Sequence, residues 1–471
     1  MGVKILSFKC FISLSLLILL PVVAYGGWVW TPQTDSGSRG WSAIASSSDG
    51  TQLAAVDYFG SDGGGYIYTS TDTGVHWTPQ TIAGSRFWDA IVSSSDGTQL
   101  AAVVSNGYIY TSITSGAAWT SQTIAGSRYW KSIASSSDGT KLAAVVNIGY
   151  IYTSTESGVS WTEHVSDNRT WFSIASSSDG AKLAAVVNSG YIYTSTNSGV
   201  SWTAQTSAGS KNWYSIASSS DGAKLAAVVN VGYIYTSTNS GSTWTERTSS
   251  GSRFWSGITS SSDGTKLAAV ASNDYLYTST DSGATWAYET GAGSRNWKSI
   301  ASSSDGTKLA AVAYNGYIYT GYYPSTVTYN IPYLHTNTNN VVYCISSNLS
   351  SENMTVSFEV KSADVDIPAT GKQTFSNYLN SYTTRLFTFQ EQTASIYNPL
   401  GGTESVSLLS DVAKSGAYGG ALSFVSKAAF SSGTQASCSK VVISCLQGYS
   451  DPRRPVTGYV CMDTISTVIG H

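Results

Sequence analysis

The apolar and polar positions of the first 323 residues fall into a repeating block, shown most clearly by residues 213–255: W-Y-S-I-A-S-S-S-D-G-A-K-L-A-A-V-V-N-V-G-Y-I-Y-T-S-T-N-S-G-S-T-W-T-E-R-T-S-S-G-S-R-F-W. Four short apolar runs, W-x-x-I-A-S, K-L-A-A-V-V, G-Y-I-Y-T-S and W-T-x-x-T, are separated by turn residues such as Asp-Gly and Asn-Ser-Gly. Aromatic and β-branched runs bounded by Gly, Asn, Asp and Ser predict strands, and Asp-Gly predicts a tight hairpin. The leading Trp recurs at Trp41, Trp88, Trp130, Trp171, Trp213, Trp255 and Trp297, in steps of 47, 42, 41, 42, 42 and 42 residues. Four strands per unit of about 42 residues is the pattern of a propeller blade.

The parts of the block do not begin in phase. The S-S-S-D-G turn occurs seven times, at Asp49, Asp96, Asp138, Asp179, Asp221, Asp263 and Asp305. The fourth-strand Trp occurs at Trp30, Trp77, Trp119, Trp161, Trp202, Trp244 and Trp286, so one copy stands alone at the N-terminus and the last block lacks its own. The expected fold is therefore an all-β, seven-bladed propeller spanning residues 27–323. Residues 28–34 supply the missing strand of the last blade, which leaves no open sheet edge at the seam.

Residues 1–26 read as a secretory signal peptide: Lys4 and Lys9, an apolar core at 11–20, and the small-x-small site Ala24-Tyr25-Gly26. The apolar run is short for a membrane span, and Cys10 lies upstream of the cleavage site. Without Lys4 and Lys9 the chain carries 23 basic and 28 acidic residues, a net of −5. That balance argues against nucleic acid or an anionic membrane as partner. The expected destination is the outside of the cell or its surface, with the periplasm as the alternative.

Ser70-Thr71-Asp72-Thr73-Gly74-Val75-His76-Trp77 fits S-x-D-x-G-x-x-W, and the segment from Ser279 to Trp286 with Asp281 fits it equally. The chain thereby resembles the Asp-box (BNR-repeat) propellers, which include sialidases, some endoglucanases, sortilin-type receptors and the photosystem II assembly factor group. Asn197 and Asn239 give close variants, Glu156 a looser one, and Thr114 replaces the acid. The resemblance implies a structural role for Asp72, Trp77, Asn197, Trp202, Asn239, Trp244, Asp281 and Trp286. In it the acid or amide accepts N–H bonds within the turn and the Trp packs between blades.

One cation precedes every leading Trp: Arg39, Arg86, Arg128, Arg169, Lys211, Arg253 and Arg295. The position joins the outer strand of one blade to the inner strand of the next, on the face opposite the Asp-Gly and Asp-box turns. Two readings stand side by side. In the first, seven cations with Phe87, Tyr129 and Phe254 ring the channel mouth and concentrate carboxylate, sulfate or phosphate. In the second, each cation stacks on a Trp face or bonds loop carbonyls and locks the blades.

The first block is five residues longer, in its second turn, where Asp57, Tyr58 and Asp62 form a candidate specificity loop on the cation face. Calcium at Asp57 and Asp62 would match no loop motif, and no metal or cofactor is expected. The sialidase F/Y-R-I-P motif is absent. The non-repeated acids form no carboxylate pair that the sequence itself establishes, so no catalytic residue is assigned.

The period ends at Tyr323. Residues 324–471 show seven strand-like runs, at 341–345, 355–361, 385–389, 405–409, 421–425, 440–445 and 458–462, which predict a small β-sandwich. Cys344, Cys438, Cys445 and Cys461 suit two disulfides in any of three pairings, and C-x6-C without a nearby His suits zinc poorly. Asp451-Pro452-Arg453-Arg454-Pro455 forms a rigid charged loop. The functional expectation is a monomeric, non-catalytic binding or scaffold protein presenting a repeated face to a glycan or protein, acidic ligands included. The alternatives are a glycoside hydrolase of the Asp-box class and an assembly factor like the photosystem II group.

Overall fold

The computed structural model describes residues 28–60 and 63–324, and twelve strands between Thr326 and Gly470. The expected leader at 1–26, Asp62, Cys438 and residues 451–453 lie outside the described residues. No α-helix occurs among the described residues, and none of their helices is long and apolar enough to cross a membrane.

Each copy of the block forms an antiparallel four-strand unit. In the fifth these strands are Trp213–Ser218, Leu225–Gly232, Ile234–Ser237 and Thr245–Arg247. The second strand is buried along L-A-A-V-V because neighbouring copies cover both of its faces, so it shows no polar alternation. Leu183, Ala185 and Val187 pack with Trp171 in one core cluster, while Ala184 and Val186 pack with Trp213 of the next copy. Alanine at these positions lets the sheets approach closely.

All seven leading tryptophans are essentially inaccessible to solvent. Each meets the second tyrosine of its own Y-I-Y or Y-L-Y strand edge-on, with ring centroids 5.0–5.3 Å apart. Burying such a side chain contributes roughly 4–6 kcal/mol at most, from an area of about 150–250 Å². A 3₁₀ turn that the strand pattern did not predict follows the fourth strand in six places, such as Thr248–Ser250. Between the third and fourth copies one continuous strand, Thr162–Ser176, runs instead.

The copies join in a cycle. The amides of Ser48, Ser95, Ser137, Ser178, Ser220 and Ser262 each donate to the equivalent serine carbonyl of the next copy at 2.7–2.8 Å, and Ser304 donates back to Ser48 at 2.7 Å. A second cycle runs beside it, from Gln52 and Gln99 and from Lys141, Lys182, Lys224, Lys266 and Lys308. Each side chain donates to the next copy's turn-Asp carbonyl, and Lys308 returns to Asp49 at 2.9 Å. The N-terminal strand Val29–Gln33 pairs antiparallel with Ile318–Tyr322, Trp30 standing opposite Gly321.

Beyond residue 324 the strands form two six-stranded sheets. One runs in the order Gln373–Leu379, Met354–Ala363, Ala417–Ser426, Thr326–His335, Val460–Asp463, Ile469–Gly470. The other runs Gly402–Ser407, Thr393–Asn398, Thr384–Gln390, Val341–Asn348, Val441–Gln447, Arg454–Pro455. Phe387 of the second sheet meets Phe375 and Phe424 of the first, at 6.1 and 6.0 Å. Each of the seven runs read from sequence overlaps a described strand, four of them along their whole length. Polar-rich strands such as Gln373–Leu379 were not predicted, because they carry too few β-branched residues. Cys344 is buried and disulfide-bonded, and Cys445 stands opposite it in register.

Candidate functional site

The seven cations occupy equivalent places. Arg39 pairs through its backbone with Gly316, Arg128 with Gly107, Arg169 with Gly149 and Arg253 with Gly232. Arg295 pairs likewise with Asp274, Arg86 with Gly65 and Lys211 with Gly190. Each cation thus meets the second turn of the preceding copy, on the face away from the Asp-Gly turns. The side chain then folds outward over its own copy. The six guanidinium carbons lie 4.3–4.7 Å from the ring centre of Tyr68, Tyr110, Tyr152, Tyr193, Tyr277 or Tyr319, and Lys211 Nζ lies 5.0 Å from Tyr235. These are the tyrosines whose other neighbour is the buried Trp, so cation, Tyr and Trp form a three-part stack in every copy. In every copy the ring beneath the cation is Tyr, and Arg253 also lies 6.0 Å from the Trp255 ring centre. The reason is geometric: a residue two before the Trp on the same strand faces the ring that the Trp already contacts.

Five of the guanidinium groups also donate through Nε to the carbonyl three residues earlier, at 2.9–3.1 Å. Arg253 pairs with Asp274 at 2.7 Å and Arg128 with Glu163 at 3.5 Å. Burial, followed by the Asp274 charge, pushes the Tyr277 hydroxyl up to about 12. None of the seven cations lines the central cavity; they lie one step outward from it. Phe87, Tyr129 and Phe254 are exposed beside them.

In the Asp-box turns, Asp72, Asn197, Asn239 and Asp281 each accept from the Ser hydroxyl two residues before, at 2.8–3.0 Å, and from the N–H four residues after, at 2.9–3.0 Å. Thr114 supplies a hydroxyl acceptor for the same N–H, that of Ala118, at 2.9 Å. Trp77, Trp202 and Trp244 lie 6.4 Å from the leading Trp of their own copy, and Trp286 packs on the cluster around Trp255.

The expanded turn of the first copy rises on the cation face, where the Tyr58 amide donates to Gly40 and Gly65 pairs with Arg86. Asp57 is buried and accepts from the Phe59 amide at 3.2 Å, and burial raises its carboxyl above the ordinary range. Tyr58 stacks with Phe59 and Phe87. Among the described residues no group of His, Cys, Asp and Glu is placed to hold a metal ion.

A cavity of about 460 Å³ lies on the axis, walled by the inner strands of all seven copies. The side chains lining it include the residue just after each leading Trp: Ser42, Asp89, Lys131, Phe172, Tyr214, Ser256 and Lys298. Tyr58 and Tyr314 complete this mouth. Sequence reasoning passed over this position. The signal was present, since the copies are nearly identical on either side of it while it changes from copy to copy.

Asp89 is the one acid lining the cavity among the described residues, and it pairs with Lys131 at 2.8 Å. Burial alone would push Lys131 down, but the charge and hydrogen bond of Asp89 hold it above its ordinary value. Lys131 Nζ also lies 5.8 Å from the Phe172 ring, which stacks on Tyr214. Lys298 Nζ lies 5.4 Å from Tyr314, and burial, then the Lys131 charge, push it down.

A cyclic array of four-strand units around a walled axis defines an all-β protein of the propeller kind, and comparison with solved structures agrees. A structure described as YCF48 bound to D1 peptide is 16% identical, covers 64% of this chain and 98% of its own, and superposes with a TM-score of 0.51. YCF48 from Cyanidioschyzon merolae is 14% identical, with 63% and 98% coverage and a TM-score of 0.50. A GH74 xyloglucanase from Xanthomonas campestris is 14% identical, with 62% and 53% coverage and a TM-score of 0.48. At such identities the likeness is one of fold. No protein-family model matches the chain, and no curated protein matches it.

Proposed function

We propose that this chain is an exported, non-catalytic binding or scaffold protein whose cation-bearing propeller face and axial mouth receive a glycan or protein ligand. In this reading residues 27–323 form seven blades closed by the Val29–Gln33 strand. Residues 324–471 form a disulfide-bonded β-sandwich that attaches or orients the propeller, and residues 1–26 direct export to the cell surface or beyond.

The observation that carries the reading is the concentration of non-repeated charged and aromatic side chains on the axis. Elsewhere a repeated residue serves the scaffold, within its own copy or at the joint to the next. At the position after the leading Trp the copies diverge together, and there the side chains face one cavity. The one acid lining that cavity among the described residues is held by Lys131. A glycosidase of the two-carboxylate kind needs a second acid across the cleft, so binding is favoured over hydrolysis.

A peptide ligand has its own support, since one structure of similar fold is described as bound to a peptide. The assembly-factor reading rests on that likeness and is the alternative for a protein partner.

The test is a binding screen of the mature protein on glycan and peptide arrays, with the same samples assayed for released sugar. Retention of acidic ligands without turnover is the expected result. Sugar release overturns the proposal in favour of the hydrolase.

A further inference from the structure

We propose that the axial mouth is a subsite for a small monocarboxylate, anchored by the ammonium of Lys298. The inference rests on reading the chain as a binding protein and adds the chemical class of ligand at the axis.

Among the described residues the mouth carries two cations and one anion. Asp89 and Lys131 neutralise each other at 2.8 Å. Lys298 has no carboxylate partner among the described residues, and its contact is the Tyr314 ring at 5.4 Å. A half-buried ammonium in that position has lost part of its hydration without a counter-charge, a cost that one incoming carboxylate removes. The excess is a single positive charge, so the complementary ligand carries a single negative one.

The neighbours of Lys298 define the rest of the ligand. The adjoining copies place serines at this position, Ser256 on one side and Ser42 on the other, which leaves room beside the ammonium. Their hydroxyls are already engaged. Ser42 donates to the Trp88 carbonyl and Ser256 to the Trp297 carbonyl, both at 2.8 Å. The rest of the wall is largely apolar, with aromatic surface from Tyr58, Phe172, Tyr214 and Tyr314 and aliphatic surface from residues such as Ile133 and Ile300. A ligand body with a flat apolar face, a pyranose or an aromatic ring, suits such walls. At about 460 Å³ the cavity holds a molecule of that size. The outer cations bias approach toward anions from the same side.

The experiment is calorimetric titration of the full chain with two probes, glucuronate and phenylacetate, each against its neutral amide. A free monocarboxylate metabolite and a terminal acidic sugar share this chemistry, and the two probes separate them. The expected result is binding of at least one acid and of neither amide. Lys298→Met should weaken it roughly tenfold or more, and Lys298→Arg should restore most of it. Asp89→Asn, which frees Lys131, should strengthen it. Melting curves of each variant separate loss of the site from loss of the fold.

No binding by either acid at millimolar concentration overturns the proposal, as does binding that Lys298→Met leaves unchanged. Binding only by a peptide with a free C-terminus overturns it in favour of a polypeptide ligand. Array binding lost in the Arg86→Ala, Arg128→Ala, Arg253→Ala triple variant but kept in Lys298→Met would uphold the wider binding reading while sinking this subsite.

Discussion

The amide of Ser304 donates to the carbonyl of Ser48 at 2.7 Å, and this bond between residues 256 positions apart completes a cycle that otherwise advances one copy at a time. The same two copies are joined again where Arg39 pairs with Gly316 and where Lys308 reaches Asp49. A closed array of this kind depends on its seam.

The seam is therefore where a single truncation should be most damaging. Trp30 is buried against the last copy, lying so close over Gly321 that a Cβ there would come within 2.7 Å of the indole. Trp30→Ala should lower stability by about 3–5 kcal/mol. Ile82→Ser, at a side chain 75% exposed, should change it by less than about 0.5 kcal/mol. Thermal melts followed by circular dichroism would read both. Equal effects would show that the N-terminal strand does not hold the ring.

The cation–Tyr–Trp stack predicts coupling between Arg253 and Tyr277, whose guanidinium carbon and ring centre are 4.3 Å apart. A double-mutant cycle with Arg253→Met and Tyr277→Leu should give a coupling energy of about 0.5–1 kcal/mol in urea unfolding. Asp274 bonds both partners, Arg253 at 2.7 Å and the Tyr277 hydroxyl at 3.2 Å, so the cycle is measured in an Asp274→Ala background. Additive effects would remove the stack as a stabilising element.

Two second turns place a β-branched residue in the left-handed region, as the Asp-box turn at Thr73 also does. Ile148 and Val231 hold φ of 58° and 60°, with side chains 69% and 59% exposed, where other copies place Asn106, Asn273, Asn315 or Ser189. A β-branched residue is disfavoured in the left-handed region, and Asn tolerates it. Ile148→Asn and Val231→Asn should each stabilise by about 1 kcal/mol, and Asn106→Val should destabilise similarly. Denaturant midpoints decide the matter, and a loss of stability in the two Asn variants would show that these side chains pack in solution.

Acid should weaken the turn faces. The carboxyls of Asp96, Asp138, Asp179 and Asp221 are held below their ordinary 3.8, first by the serine hydroxyl two residues before and then by a backbone amide. A depressed folded-state value means the stabilisation is fully present above about pH 4 and is lost as pH falls through the lower folded value. The melting temperature should accordingly decline below about pH 4. Asp138→Asn should lose stability at pH 7 and show a shallower acid decline, measured by calorimetry from pH 7 to pH 2.

Much of this architecture was legible in the chain. The Trp period, the Asp-Gly turns and the out-of-phase Trp30 predicted the strands and the pairing of the N-terminus with the last copy. All of these are local or periodic signals, which neighbouring residues carry by themselves. The 3₁₀ turns were not legible, because Thr-x-Ala-Gly-Ser resembles any polar connection until the following Gly is seen at positive φ, as Gly84 is at 78°.

The sequence by itself determined the repeat, the strand-forming apolar runs and one cation per copy, since each depends on residue type and spacing along a single unit. Only the tertiary structure decided where those cations go and what occupies the axis. Arg39 and its equivalents turn outward onto tyrosines because the ring already fixed by the buried Trp lies within their reach. Asp89, Lys131 and Lys298 are scattered over some two hundred residues, each just after a leading Trp. They meet because cyclic closure brings the same position of every copy to one axis, a relation no local reading of the chain contains.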